Sequence, residues 1–319
     1  MNRPLLTLCT VAAFALAGAG LLAGCDRPGR DGDGGGDPPA REFNGQAAFA
    51  YLQRQLAFGP RVPGTEGHRR TAEWLEQELR ARADTVLVQR WTHVTLAGDS
   101  LPMVNLVARF NPAATERVLY LAHWDTRPMS DQAEGADSTK PVPGANDGAS
   151  GVALLLGIAD LLDSLPTRTI GVDLLFVDGE DYGVFDAKAD VLIGSRYYAA
   201  HQAPGAVPKL AVLWDMVADA DLRIHPEGNS LLAAPDVVDL VWSTAQALGY
   251  AQYFDPTPKH TVIDDHVELQ KAGIKAIDVL DFDYPAWHTP GDTIDKVSAN
   301  SLKVVGDVAA AVLRRVDAR

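Results

Sequence analysis

The pattern of apolar and polar residues along this chain has two forms, one typical of helices and one typical of strands. Segments of the two forms alternate from Asn44 onward. Apolar residues three or four positions apart predict amphipathic helices, which begin at Asn44, near Thr65, and at residues 151, 235, 265 and 298. Short apolar runs rich in β-branched residues predict strands between them, at residues 85–94, 103–110, 117–122, 169–177, 210–214 and 276–280.

The alternation of strands and helices indicates the class of fold. Strands separated by helices are typical of a mostly parallel sheet with helices on both faces. The strands at 85–94 and 103–110 are close in the chain, so they could pair antiparallel, and the run 174–177 is apolar enough for burial on both faces. We predict a single α/β domain over residues 43–319, a three-layer α/β/α sandwich around a mixed, mostly parallel twisted sheet.

The N-terminal segment has the pattern of a targeting signal. Arg3 precedes an apolar run at residues 5–22, which is typical of a cleaved secretory signal. The tetrad Leu-Ala-Gly-Cys at 22–25 resembles a bacterial lipobox, which implies cleavage before Cys25 and a lipid on its sulfur; the alternative is an ordinary signal that leaves Cys25 free. We predict a signal peptide at 1–24, a flexible Gly-, Asp- and Pro-rich tether at 25–42, and a lipid-anchored protein of the bacterial cell envelope, on the periplasmic side of the inner or outer membrane.

Composition and charge narrow the range of partners. With 47% hydrophobic residues in 319, the domain can bury an ample core without disulfides. Cys9 leaves with the signal, so no disulfide can form. The net charge of -14 repels phosphate backbones, so we expect no nucleic-acid partner. We expect a monomer that meets the membrane through its lipid anchor alone.

Residues able to bind metal or transfer protons follow the predicted strands. The strand ends are followed by His123, by Glu180 with Asp181, by Asp215 and by His288, while a tight turn before the helix at 151 carries Asp147. Because the carboxyl ends of parallel strands meet at one edge of a sheet, we expect these side chains to share a cleft.

Such a cluster needs a cation. Carboxylates massed in one cleft repel each other, and histidine with carboxylate ligands suits zinc. Glu180 and Asp181 are adjacent and point differently, so one can bind metal while the other acts as a base. Taken singly, each motif has a plainer interpretation: a turn around Asp147, a solvated acidic pair at 180–181, a packed His288, or a His266 that caps a helix or bonds within the core.

The ordered motifs resemble a known family. The motifs His-x-Asp, Asn-Asp-Gly-Ala-Ser-Gly, Asp-Gly-Glu-Asp, Trp-Asp-Met, Asp-Asp-His and Trp-His-Thr, in this order over residues 123–289, resemble the M28 zinc peptidase superfamily. Within it, the chain from Phe43 to the C-terminus is most similar to the glutaminyl-peptide cyclotransferases (glutaminyl cyclases), some of which are bacterial lipoproteins. The likeness to this branch depends on residues 264–266 and 284–288.

The resemblance implies a role for each motif residue. It implies that Asp147, Asp181 and His288 bind zinc and that Glu180 is the general acid and base. It also implies further site residues, namely Asp215 and Asp264 as an acidic pair near the reacting amide, and Trp287 and Tyr284 as the lining of the glutamine pocket. His123 and Asp215 match the ligands that hold a second metal in peptidase relatives, with Asp147 as the bridge and Asp125 orienting His123. Asp181 is one carbon shorter than the glutamate of animal cyclases.

The implied activity is conversion of the N-terminal glutamine of peptides and proteins to pyroglutamate, with release of ammonia and one zinc ion. An M28-type aminopeptidase with two zinc ions uses the same residues and stays open as an alternative. A lipid-tethered binding protein with an inactive site is a third hypothesis, which the complete ligand set and Glu180 disfavour.

Overall fold

The computed structural model describes residues 42–202 and 207–318, which form a single α/β domain. The predicted signal peptide and lipobox lie outside these residues. The helices are α1 (Gly45–Leu56), α2 (Glu66–Arg80), α3 (Ala149–Ser164), α4 (Ile193–Ala200), α5 (Gly228–Ala233), α6 (Pro235–Ala247), α7 (Asp265–Lys271) and α8 (Ala299–Asp317). The strands are β1 (Thr85–Val94), β2 (Ser100–Phe110), β3 (Arg117–His123), β4 (Gly171–Val177), β5 (Leu210–Asp215) and β6 (Ala276–Leu280). Within the described ranges, none of the helices combines the length and apolar character needed to span a bilayer.

The six strands form one mixed sheet in the order β1-β2-β4-β3-β5-β6. The strands β3, β4, β5 and β6 are parallel, whereas β1 and β2 form an antiparallel hairpin at one edge, as the sequence predicted. In the sheet, β3 lies between β4 on one side and β5 on the other. The carboxyl end of β3 is therefore a point where connections diverge, which is where ligand crevices form in such sheets.

Both faces of the sheet are covered, which makes three layers. In β3, Val118 and Tyr120 pack into the larger core, which also contains residues of α1, α3 and α8. The intervening Leu119 and Leu121 pack into the second core with residues of α4 and α7. Alternate side chains of a strand point to opposite faces, so the continuous apolar run of β3 fills two cores at once.

Helix α3 packs unusually close to the strands because its first turn carries a glycine. A Cβ on Gly151 would lie 2.1 Å from the carbonyl oxygen of Trp214 and 2.8 Å from the Cβ of Ala122. The turn before α3 also needs glycine, since Gly148 has a φ of 88°. This close approach sets Asp147 over the carboxyl ends of β3 and β5.

Two short helices and some strand boundaries differ from the prediction. Helices α4 and α5 have 8 and 6 residues and were not predicted, because so few turns give too little periodicity. Strand β4 begins at Gly171 rather than at 169. The backbone N–H groups of Thr169 and Ile170 instead donate to the carboxylate of Asp317 at the end of α8, which takes them out of the sheet.

Candidate metal centre and catalytic cleft

A cleft of about 390 Å³ opens at the carboxyl edge of the parallel strands. Seven of the residues that the sequence singled out line it, namely Asp147, Glu180, Asp181, Asp215, Asp264, Trp287 and His288. His123 is 1% exposed and contacts two of these carboxylates, with its Nε2 3.1 Å from Asp147 and 3.2 Å from Asp215. The structure thus brings the ends of four strands and the start of α3 to one place.

Two groups of side chains in the cleft could hold metal ions. Asp147, Asp181 and His288 form the first group, and in each group all the ligand atoms lie within 4.8 Å of one another. His123, Asp147 and Asp215 form the second group. Asp147 belongs to both groups, so a pair of ions would share it.

The two carboxylates of the first group lie close enough to the His288 ring for all three side chains to share one ion. His288 Nε2 lies 3.6 Å from Asp147 Oδ2 and 3.4 Å from Asp181 Oδ1. Ligands at about 2.0–2.1 Å from a tetrahedral zinc are about 3.3 Å apart. The Oδ2 atoms of Asp147 and Asp181 are buried and have no hydrogen-bond partner, so both are available as ligands. The residues present therefore fit zinc.

The carboxylates of the cleft favour positive charge on its two histidines. Burial opposes protonation of His288, but the nearby carboxylates, above all Asp181, outweigh it and raise the pKa of His288 to about 9. The pKa of His123 is likewise raised well above its ordinary value, since Asp215 and the other carboxylates outweigh burial. A divalent cation would supply this charge and leave both imidazoles neutral, as metal ligands must be.

Glu180 belongs to neither ligand group, and its Oε2 lies 3.8 Å from Nδ1 of His123. The backbone N–H groups of Glu180 and Asp181 donate to the two oxygens of Asp125, at 3.1 and 3.2 Å, which fixes the turn after β4. Burial, together with the carboxylates of Asp264 and Asp181, raises the pKa of Glu180 well above the usual glutamate value. Asp125 also faces His123, with 3.6 Å between Oδ1 and Nδ1. Glu180 thus places a buried carboxyl group beside the candidate metal ligands.

Apolar side chains form a wall of the cleft. The indole of Trp287 stacks on the His288 ring with 3.9 Å between ring centres, and Phe282 meets Trp287 edge-on at 4.9 Å. Val262 and Ile263 continue the wall. The sequence analysis did not predict Phe282 as a cleft residue. Its position between the end of β6 and Trp287 could have indicated it. Phe185 also lines the cleft.

Tyr284, which the family resemblance implied for the glutamine pocket, and His266 do not line the cleft. Tyr284 is buried and does not line this cleft, and its hydroxyl donates to Asp292 Oδ1 at 2.7 Å. Asp292, which sequence reasoning missed, accepts the backbone N–H groups of Asn146 and Asp147 at 2.8 and 3.1 Å. Tyr284 therefore supports the turn that carries Asp147. His266 is fully buried, with its Nε2 3.2 Å from Glu227, in line with the core interpretation.

Asp264 combines a structural and a cleft position. Its carboxylate caps α7 by accepting the backbone N–H of Asp265 at 2.5 Å, and the same side chain lines the cleft. Burial and the nearby carboxylates of Asp215 and Asp265 raise the pKa of Asp264 well above its usual range. A carboxyl in this position can donate as well as accept a hydrogen bond.

Substitution of Tyr284 by phenylalanine tests its supporting role. We expect the free energy of unfolding to fall by about 1–2 kcal/mol, because the buried Asp292 loses a hydrogen bond. Chemical denaturation of both proteins measures this. The variant Tyr253→Phe, outside the cleft lining, should change stability by less than about 0.5 kcal/mol. If Tyr284→Phe leaves the stability unchanged but weakens the binding of a glutamine-started peptide, Tyr284 instead lines the glutamine pocket.

With fold and cleft established, the protein can be placed in a family. Residues 105–313 match the sequence profile of peptidase family M28, which covers more than half of the chain. The chain therefore belongs to peptidase family M28.

Several solved structures and relatives show which members it is similar to. It is 36% identical to the glutaminyl cyclase of Porphyromonas gingivalis, with a TM-score of 0.83 over 86% of this chain and 99% of that chain. It is 32% identical to a Zn-dependent exopeptidase from Parabacteroides distasonis, with a TM-score of 0.82 over 85% and 98% of the two chains. It is also 27% identical to the glutaminyl-peptide cyclotransferase-like protein of Mus musculus over 262 residues, 73% of this chain and 66% of the mouse protein.

Proposed function

We propose that this protein is a zinc-dependent glutaminyl-peptide cyclotransferase, which converts an N-terminal glutamine to pyroglutamate and releases ammonia. The observation that carries the proposal is the position of Glu180, buried beside the candidate metal ligands but outside both ligand groups, in a cleft that Trp287 and Phe282 also line. The likeness to bacterial glutaminyl cyclases supports it.

The metal site has a defined part in this reaction. Asp147, Asp181 and His288 would hold the zinc ion. When bound, zinc supplies a Lewis acid that polarises the carbonyl of the glutamine side-chain amide. The ion also offsets the repulsion among the carboxylates that surround it.

Glu180 moves the proton that the reaction must transfer. The α-amino nitrogen of the substrate attacks the carbonyl carbon of the side-chain amide, which forms the ring bond, and the bond from that carbon to the amide nitrogen breaks. Glu180 takes a proton from the attacking nitrogen and returns one to the leaving nitrogen, which departs as ammonia. Its raised pKa suits both transfers, because a carboxylate of higher pKa is a stronger base and its acid form still gives up the proton.

The other cleft residues position the substrate and limit water. Asp264 and Asp215 lie where they can hydrogen-bond the amine or the amide nitrogen. The wall of Trp287 and Phe282 offers the methylene groups of glutamine an apolar surface. Folding both ends of one residue together supplies effective molarity, and excluding water prevents hydrolysis of the same amide.

A second candidate is an aminopeptidase with two zinc ions. The observation that favours it is the second ligand group of His123, Asp147 and Asp215, which shares Asp147 with the first. Two ions about 3.5–4 Å apart would activate a water molecule for peptide hydrolysis. Under this proposal Glu180 serves as the base toward water.

One experiment separates the two activities. Purified protein is incubated with zinc and a peptide that begins with glutamine, and the products are analysed by mass spectrometry. Loss of one ammonia from the intact peptide supports the cyclotransferase, while release of free glutamine supports the aminopeptidase. The same peptide with an acetylated N-terminus serves as the control. Its blocked nitrogen cannot attack the side-chain amide, and its first residue cannot be released as free glutamine.

We further propose that the protein is a lipid-anchored envelope protein, from the lipobox-like tetrad at 22–25. Inhibition of lipoprotein signal peptidase in the producing cells should change its mobility on a gel. Unchanged mobility and an unmodified Cys25 would contradict the anchor.

A further inference from the structure

The loop of residues 127–132, between β3 and α3, contacts two of the three residues in the first ligand group. Arg127 Nη1 donates to Asp181 Oδ1 at 2.6 Å and to the Asp181 backbone carbonyl at 3.3 Å. The guanidinium is buried and holds one carboxylate oxygen, while Oδ2 of Asp181 has no hydrogen-bond partner. Asp181 is therefore fixed with one oxygen directed to arginine and the other left for a metal.

The same loop holds the histidine ligand. Asp131 Oδ1 lies 2.9 Å from His288 Nδ1, which sets the proton on that nitrogen and leaves Nε2 for a metal. Arg127 Nη2 donates to the other oxygen of Asp131 at 2.5 Å. The two ligands Asp181 and His288 are thus joined through one continuous chain of hydrogen bonds that passes through Arg127 and Asp131.

The backbone of His288 is in a conformation that needs such support. Its φ of 54° lies in the left-handed region, which residues other than glycine seldom adopt. The backbone N–H of Gln132 donates to the carbonyl of His288 at 3.2 Å. The loop therefore holds both the ring and the backbone of this residue, and strained residues at functional sites persist when several contacts fix them.

We propose that Arg127 and Asp131 form a positioning pair that presents Asp181 and His288 to the zinc ion and thereby sets the zinc affinity of the site. The inference rests on the proposed function, because it assumes the zinc centre of the first ligand group.

The test measures zinc binding directly. Metal-free wild type and variants are titrated with zinc in competition with a chromophoric chelator, and their cobalt(II) complexes are compared by absorption spectroscopy. Asp131→Ala should lose about 10–100-fold in zinc affinity, and Asp131→Asn, which still accepts a hydrogen bond from Nδ1, should lose less. Arg127→Lys keeps the charge but cannot span both carboxylates, so it should weaken zinc binding and shift the cobalt spectrum.

Further measurements separate positioning from general destabilisation. The double variant Arg127→Lys with Asp131→Ala should lose no more affinity than the weaker-binding single variant, because the pair acts as a unit. Asp137→Ala, in an exposed ion pair with Lys140 just beyond the same loop, is the matched control and should bind zinc like wild type. Thermal melting of the metal-free proteins checks that each variant is folded. If Asp131→Ala does not fold, the near-isosteric Asp131→Asn still tests the proposal.

The outcomes are distinguishable. Wild type that binds no zinc would overturn the zinc centre and this inference with it. Wild type that binds zinc, with Arg127 and Asp131 variants of equal affinity and identical cobalt spectra, would overturn the positioning pair alone and leave the proposed function intact.

Discussion

Replacing Glu180 with glutamine is expected to lower the turnover of glutamine-started peptides by about 10³-fold, because the amide can neither accept nor return the transferred proton. The zinc content should stay that of wild type, since Glu180 belongs to neither ligand group. The measurement is kcat for ammonia release alongside metal analysis of the same preparation. Retained zinc with lost turnover is the pattern that distinguishes a base from a ligand.

The loss should arise from chemistry and not from folding. Burial and neighbouring carboxylates raise the pKa of Glu180, so a neutral amide of the same shape removes a destabilising buried charge and should not weaken the fold. Glu116→Gln, at an exposed ion pair with Lys209, is the control and should keep wild-type kcat. A Glu180→Gln protein that turns over at nearly the wild-type rate would show that another group moves the proton.

Much of the fold was predictable because the signals were local. The apolar runs of β3 and β4 carry enough residues to be recognised as buried strands. The helices predicted to begin at Asn44 and at residue 298 are found there, and Asn44 and Ser298 are their N-caps. The missed helices α4 and α5 are too short for a helical period to emerge. Tertiary contact also moved the start of β4, where Asp317 takes the N–H groups of residues 169 and 170.

The positions of the candidate metal ligands were predictable for a related reason. Each follows a buried strand or precedes a helix, so the topology of a parallel sheet carries it to the same edge. The direction in which a loop side chain points has no such rule. Trp287 and Tyr284 are three residues apart, yet Trp287 lines the cleft, whereas Tyr284 does not and donates a hydrogen bond to Asp292.

The supporting residues were missed because their partners are distant in sequence. Arg127 lies 54 residues from Asp181, Asp131 lies 157 from His288, and Asp292 lies 146 from Asn146. Nothing in the local sequence of a charged loop residue indicates which buried ligand it will contact. Such contacts follow from the packing of the whole chain.

Substitution of Asp147 by alanine is expected to abolish zinc binding and to lower catalysis by at least about 10³-fold, since the metal supplies several kcal/mol of transition-state stabilisation. Asp147 belongs to both ligand groups, so its loss removes a ligand from each possible ion. Metal analysis and ammonia release measure the two effects. Thermal melting of the metal-free variant beside metal-free wild type checks that the variant is folded.

His123→Ala, compared with Asp147→Ala, then decides how many ions the active enzyme uses. His123 belongs to the second group alone, so a cyclotransferase with zinc in the first group should keep one zinc per chain and measurable ammonia release. A two-zinc aminopeptidase should instead fall from two zinc ions to one and lose its release of free glutamine. Zinc retained by Asp147→Ala at the wild-type level would contradict both assignments, because neither group holds three ligands without that carboxylate.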